Sequence, residues 1–474
     1  MGALMVAGTS SWAGKSVLAT GLCASLRRRG VRVAPFKAQN MSNNARVVEG
    51  GEIGAAQYFQ ALAAGVTPSV DHNPILLKPE ADIRSQVVVL GKVDRVLTEM
   101  PWRERAPYLW EIVRDAYDRV AGDTDIVVLE GAGSPAEVNL AGVDLANLRI
   151  GRHANAPMLV VCDIDRGGAF AHLYGTWALL DPIDRRRVAG FVLNRFRGDP
   201  TLLAPGPAIL EQKTGVPTLG VVPMVDHGLP DEDGAAPAPS GGSGQRVRIV
   251  RGPAASNLDE WWQLREASDC RWATRPADLS DAELVVLPGS KLPAVDVAWM
   301  RATGVDAAIL SAHRRGVRIL AVCGGAQILG EVVEDPHGVE GGGETRGLGL
   351  LPATTSLGPT KRVGRPSCQF RADLPAPWAD LSGLCVEGYE VHFGQTRGRP
   401  PLAPAFTDGS GLVGGSILAV YLHGLAEDPK VLMALVGRES PRPLPQVLDG
   451  LADLVDRHLD MDAVLHLTGC GLAP

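Results

Sequence analysis

Long apolar runs are missing from this chain: nothing approaches the roughly 20 residues of a membrane-spanning helix, so no such span is expected. Cysteine is scarce too, seven in 474 residues, with no CxxC pair and no Cys/His ligand spacing. That excludes a disulfide framework and a structural zinc, and it points to a reducing cytoplasm. Positive charge is not in excess: 46 Lys and Arg face 53 Asp and Glu, a formal net charge of -7. The clustered basic face of a nucleic-acid binder is therefore not expected. Basic residues are absent from Met1–Gly8 as well, so this start reads as a first core strand and not as a signal peptide. There is no internal repeat. What remains is 45% hydrophobic and 21% charged, enough to bury sizeable cores in two large domains or about three average ones. The expectation is a soluble, cytoplasmic, enzyme-sized protein, with homo-oligomerisation left open.

Short apolar runs alternate with helix-length stretches through the first half. Ala3–Gly8, Val31–Phe36, Ile126–Glu130, Pro157–Asp163, Val188–Asn194 and Val216–Val222 suit strands buried on both faces, and Lys15–Arg29 and Tyr108–Val120 suit helices. This alternation predicts a parallel, doubly wound α/β sheet over residues 1–230. Residues 231–245 (DEDGAAPAPSGGSGQ) lack any periodicity and read as a linker. A second doubly wound α/β domain is expected over 246–474. Its strands fall at Val247–Arg251, Leu284–Leu287, Arg318–Val322, Val386–Phe393 and Ile417–Tyr421, with a helical tail at Leu444–Leu467.

Directly after the first strand stands Gly8-Thr9-Ser10-Ser11-Trp12-Ala13-Gly14-Lys15-Ser16, followed by a helix. Glycines such as Gly8 and Gly14 let backbone N–H groups, that of Thr9 included, turn toward phosphate, and the helix N-terminus adds partial positive charge. Lys15 would meet the β/γ-phosphates of ATP and Ser16 would hold Mg²⁺. The loop is one residue longer than the common GxxxxGK[ST] pattern, as in dethiobiotin synthetase-like ligases. Partition-type ATPases carry a second, earlier lysine, whereas Lys15 is the only one from Gly8 to Ser16. Glu130, ending a strand before Gly131-Ala132-Gly133, is the candidate carboxylate for Mg²⁺, with Asp163 and Asp165 as alternatives. Asn194 ends another strand and suits either adenine reading or a turn cap.

In the second half, strand Arg318–Val322 leads into Cys323-Gly324-Gly325-Ala326-Gln327. A cysteine on a strand-to-helix turn is exposed to substrate and has backbone N–H groups beside it for an oxyanion. Cys162 and Cys385, inside strands, read instead as buried structural cysteines. The Gly289-Ser290 pair of LPGSK could supply a second oxyanion donor, and Gly324 and Gln327 belong to the same glutamine-binding surface. His423 in AVYLHG is the natural base. His392 in GYEVHFG lines the glutamine pocket or is a satisfied core histidine. Elbow, PGS loop and late histidine in this order mark a class I, triad-type glutamine amidotransferase. The position two residues after His423, often a glutamate in such enzymes, is Leu425. A Cys323–His423 dyad is therefore expected, with Glu427 and Glu390 as the nearest alternative third members.

Longer blocks carry a closer resemblance. PFKAQNMSNN (35–44), NPILLKP (73–79), SQVV (85–88) and GAGSPAEVNL (131–140), with LPGSK, GYEVHFG and YLHG, are similar to those of the cobyric acid synthase family of cobalamin biosynthesis. The resemblance covers nearly the whole chain, although residues 251–264 match only loosely, and Ala321 and Ala326 depart from the family's usual elbow surroundings. It implies ATP- and glutamine-dependent amidation of four side-chain carboxylates on a corrinoid polycarboxylate, adenosylcobyrinic acid a,c-diamide. It also implies an acceptor-handling role for Asp144, and acceptor binding by Gln39, Asn40, Lys78 and Gln86. Arg84, Arg149, Arg152 and Arg166 are the cations near these motifs. The competing acceptors are cobyrinic acid, at its a,c-carboxylates, and a peptidoglycan precursor.

Overall fold

The computed structural model describes residues 2–81, 84–140, 142–230 and 244–469. The first half is built on a six-stranded parallel sheet. Its strands, edge to edge, are Val33–Phe36, Ile126–Glu130, Gly2–Gly8, Met158–Asp163, Val188–Phe196 and Thr218–Pro223. Alternate residues of the first strand explain its continuous apolarity. Leu4 and Val6 enter one core with helix Lys15–Arg28, while Ala3, Met5 and Ala7 enter the opposite core with helix Trp102–Gly122. A strand covered on both faces has no solvent side on which to place polar residues.

Between the second strand and helix Trp102–Gly122 lies an insertion that hydrophobic pattern does not announce. It contains the hairpin Ala45–Val48/Gly51–Gly54, the helix Ala55–Ala64, and a small sheet of Gln39–Met41, Ile75–Ala81, Arg84–Val89 and Lys92–Val93. Asn40, Asn44, Arg46, Glu52 and Lys78 are all buried here. Polar residues buried by pairing leave no alternation of apolar and polar for the eye to find.

The second half holds another sheet, ordered Asp269–Ala273, Arg246–Val250, Leu284–Leu287, Arg318–Val322, Ile417–Val420, with antiparallel Leu412–Gly414 at the edge. A separate four-stranded sheet (Gly343–Arg346, Val332–Asp335, Ala353–Gly364, Glu390–Gly398) projects beside it. The tail is two helices, not one. Asp460 accepts from Ala463 N–H at 2.9 Å and starts Met461–Leu467 after Leu444–His458 ends. Although late in the chain, Leu444–His458 packs on Lys15–Arg28 of the first half: Leu448, Leu451 and Val455 share a core with Leu18 and Leu22, and Arg28 pairs with Asp453 at 2.6 Å. Most of the expected linker, residues 231–243, lies outside the described residues. Among the described residues no helix is long and apolar enough to cross a membrane.

Candidate functional site

Two clusters gather at the carboxyl ends of the two sheets, where α/β folds leave crevices. In the first, Gly14 sits at φ 97°, and a Cβ there would fall 1.9 Å from Asn194 Nδ2. Only glycine fits both the turn and that approach. Asn194 donates Nδ2 to Ala13 O at 2.8 Å, so its amide pins the loop itself. Lys15 curls over the loop, donating to Ser10 O at 2.9 Å and to Gly133 O at 3.2 Å. Ser16 donates to Glu130 Oε1 at 2.9 Å, and Lys37 Nζ lies 2.8 Å from the same oxygen. Gln60 donates to the other oxygen of Glu130. Lys15, Ser16 and Glu130 line a cavity of about 1010 Å³, shared with Gln39, Asn40 and Asp144 and, from the second half, Arg251, Ala255 and Trp299.

Asp144 accepts from the backbone N–H of Ala146, Asn147 and Leu148 at 3.0 to 3.1 Å, capping the turn that follows it. Burial raises its pKa and these bonds pull the other way, with burial prevailing.

In the second cluster, Cys323 takes φ 52° and ψ -112° between strand Arg318–Val322 and helix Gly324–Leu329. A β-carbon on Gly324 would lie 2.5 Å from Ser290 N, so the Gly289–Ser290 backbone presses directly against the elbow. The Ser290 hydroxyl is engaged elsewhere, donating to Asp296 Oδ2 at 2.6 Å. Gln327, on the elbow helix, and His392 are buried nearby. His392 Nδ1 lies 2.8 Å from Gly394 O, and its ring leans on Tyr421 at 4.1 Å between centroids.

His423, 1% exposed, bonds Glu260, with Nδ1 2.8 Å from Glu260 Oε1, and lies near enough to Cys323 to feel its charge. The second oxygen of Glu260 accepts from Gly424 N–H at 2.6 Å. Burial by itself would lower the pKa of His423, but Glu260 and Cys323 outweigh it and push it up to about 10.

The two halves that carry these clusters match known families. Residues 4–229 match the CobQ/CobB/MinD/ParA nucleotide binding domain, and residues 246–431 the CobB/CobQ-like glutamine amidotransferase domain. Cobyric acid synthase of Polaromonas naphthalenivorans (strain CJ2) is 50% identical, over 96% of this chain and 97% of its own. Those of Acidovorax ebreus (strain TPSY) and Leptothrix cholodnii (strain ATCC 51168 / LMG 8142 / SP-6) are 51% and 52% identical, over 96% and 98% of this chain and 97% and 96% of theirs. The chain belongs to the cobyric acid synthase family. The resemblance read from its motifs is borne out, as is the two-domain α/β fold with a nucleotide-binding half and a glutamine amidotransferase half.

Several of the expected residues of this cobyric acid synthase relative keep other company than the sequence suggests. A carboxylate does meet His423, and it comes from Glu260, inside the loosely matching stretch 251–264. Glu427 is occupied with Arg46 and Glu390 with Arg362. Lys78 and Gln86, expected at the acceptor, pair across one hairpin and are absent from the lining of the large cavity. Lys78 pairs instead with Glu52, which also meets Lys361 Nζ at 2.6 Å. Arg152 is committed to Asp184, Arg149 lies over Trp110, and Arg166 reaches Asp163; the side chain of Arg84 lies outside the described residues. Arg195 and Arg251 line the cavity in their place. Asp163 and Asp165 pair with Arg195 and Arg197 at 3.1 Å each. Cys162 is buried as expected, but Cys385 is exposed.

The sequence did hold one signal for Glu260: an acidic pair, Asp259-Glu260, ahead of Trp261 and Trp262. All four of these residues are buried, and an acid carried into a buried aromatic turn needs a partner.

Proposed function

We propose that the chain amidates carboxylates b, d, e and g of adenosylcobyrinic acid a,c-diamide, using ATP and glutamine, to give adenosylcobyric acid. The observation that carries this reading is one chain that holds a glutaminase-like Cys–His–Glu cluster in one half and, in the other, a phosphate loop lining a cavity of about 1010 Å³. That is at the upper end of ligand pockets, roughly 300–1,000 Å³, and leaves room for a nucleotide beside a large acceptor. Near-full-length similarity to cobyric acid synthases supports the acceptor class.

The chemistry follows from the groups present. Cys323 attacks the side-chain amide carbon of glutamine, with Gly289–Ser290 and Gly324 N–H groups beside the developing oxyanion. His423 gives a proton to the departing ammonia, and Glu260 holds the ring and its charge. Water then clears the glutamyl thioester as glutamate. In the other half, an acceptor carboxylate takes the γ-phosphoryl of ATP, and ammonia displaces phosphate from the acyl phosphate. Lys15 turns from Ser10 and Gly133 carbonyls to the phosphates, lessening repulsion between two anionic reactants.

Ser16 and Glu130, a hydroxyl and a carboxylate 2.9 Å apart beside the phosphate loop, form the hard-oxygen pair that suits a phosphate-bound Mg²⁺. When bound, the ion supplies charge neutralisation to the phosphates.

The test is mass spectrometry of cobyrinic acid a,c-diamide incubated with enzyme, ATP, Mg²⁺ and glutamine. Four successive losses of about 1 Da, each the exchange of OH for NH₂, are expected. An unchanged mass, with cobyrinic acid amidated instead, would reassign the acceptor.

A further inference from the structure

The hairpin Ala45–Val48/Gly51–Gly54 of the nucleotide-binding half sits on the turn of the glutaminase half that carries Glu260. Buried Arg46 donates Nε to Asp259 Oδ2 at 2.7 Å and grips both oxygens of Glu427 at 2.9 and 2.6 Å. Its guanidinium carbon lies 5.3 Å from the ring centre of Tyr389, and that ring stacks on His423. Backbone contacts run alongside. Asn257 donates Nδ2 to Ala45 O at 3.0 Å, and Leu258 N–H donates to Asn44 Oδ1 at 2.9 Å. Each of the three residues before Glu260 is thus held by the other half of the chain. Asn257 adopts φ 53°, a left-handed conformation that such outside contacts maintain.

The same segment faces the nucleotide cavity. Ser42, Asn43 and Asn44 line it. Asn44 O accepts from Ala55 N–H at 3.1 Å, where the helix begins that brings Gln57 and Gln60 to Glu130. Bonds therefore connect Glu130 in one site to Glu260 in the other through a single packed segment. Burying a guanidinium between two carboxylates is costly unless the geometry is held, and a bidentate fork is the arrangement that holds it.

We infer that Arg46 is a positioning residue of the glutaminase, fixing the Asn257–Glu260 turn so that Glu260 meets His423, and that through it occupancy of the ligase cavity sets the rate of glutamine hydrolysis. This rests on the glutaminase reading of Cys323 and His423. Without Arg46 the turn keeps a buried, unpaired Asp259 and relaxes away from the imidazole, while the phosphate loop keeps all its own contacts.

The full-length protein is assayed for glutamate release from glutamine, with and without ATP plus cobyrinic acid a,c-diamide, and for amide formation from ammonium chloride. Arg46→Ala is expected to lower kcat for glutamate release about tenfold or more, at a glutamine KM within about twofold, and to remove stimulation by ATP and acceptor. Ammonium-driven synthesis stays within about twofold of wild type. Arg46→Lys regains part of the rate, keeping charge without the fork. Asp259→Asn, which preserves shape if Arg46→Ala folds poorly, loses about three- to tenfold in the same assay. Wild-type rates and stimulation in Arg46→Ala and Asp259→Asn would overturn the inference. So would parallel loss of both activities with a lowered Tm, the mark of a merely structural plug. Wild-type protein that releases no glutamate would overturn the glutaminase reading and this inference with it.

Discussion

The two sites differ in how they are assembled. The phosphate loop is one contiguous stretch, Gly8 to Ser16, shaped by its own glycines and the strand before it, with Asn194 as a distant pin. The glutaminase cluster draws Glu260, Gly289, Cys323 and His423 from four separate segments, and its supporting charge, Arg46, comes from the other half of the molecule. A loop built locally tolerates changes elsewhere in the fold. A cluster built from distant segments depends on every packing contact that aligns them. It also differs in exposure: the phosphate loop borders a large open cavity, whereas His423 and Glu260 are each 1% exposed.

The sharpest break between the sites comes from removing one reacting group in each. Lys15→Ala should abolish amide synthesis from glutamine and from ammonium alike, a loss of about 10³-fold or more. Cys323→Ala should abolish only the glutamine-driven route and leave the ammonium route largely intact. Product formation from each nitrogen donor, measured side by side, checks both. Near-normal synthesis by Lys15→Ala would remove the phosphate-loop reading.

Glu260→Gln is expected next in size, lowering glutamate release by about 10²- to 10⁴-fold, because an amide can leave the imidazole in the wrong tautomer. Its pH profile should move as well. The carboxylate, working against burial, pushes the pKa of His423 up to about 10, so the imidazolium and its contribution to stability persist below that pH and are lost above it. Without the carboxylate the high-pH decline in glutamate release should begin at least about one pH unit lower. A profile unchanged from wild type would remove Glu260 from the cluster. In the other half, Glu130→Gln keeps the shape and removes the charge, and should shift the Mg²⁺ titration of ammonium-driven synthesis by about 10- to 100-fold. An unchanged titration would move the metal contact elsewhere.

Legibility in the sequence follows the same division. The strands Ile126–Glu130, Leu284–Leu287 and Arg318–Val322 are visible residue by residue, since strands covered on both faces are apolar throughout. Lys15, Ser16, Cys323 and His423 are visible because local turn chemistry surrounds each of them. Glu260 is not, because its role depends on a fold that carries it to a histidine 163 positions away. The company Lys78 keeps is hidden for a related reason: it is buried against Glu52, which also meets Lys361, and only the tertiary structure brings these three together. Arg46 stands between PFKAQNMSNN and a glycine pair, with no local sequence signal of burial. Its burial is decided by Asp259 and Glu427, more than 200 residues away.

The smallest effect concerns Glu427, the carboxylate nearest His423 in sequence and therefore the natural rival to Glu260. It begins four residues after the histidine, but its oxygens turn to Arg46 at 2.6 and 2.9 Å, whereas Glu260 holds Nδ1 of His423 at 2.8 Å. Glu427→Gln removes one of two charges that face Arg46 and leaves Asp259 in place, still 2.7 Å from Nε. The turn carrying Glu260 should loosen without letting go. A loss of about two- to threefold in glutamate release is expected, with the high-pH limb where it is in wild type, because His423 keeps its own carboxylate. His423→Ala, by contrast, removes the proton donor and should approach the loss seen with Cys323→Ala. The discriminating measurement is the ratio of the two carboxylate variants in one assay, with circular dichroism verifying the fold of each. If Glu427→Gln were as damaging as Glu260→Gln and moved the pH limb equally, the imidazole would be answering to both carboxylates, and Arg46 would be bridging a pair that acts on His423 together.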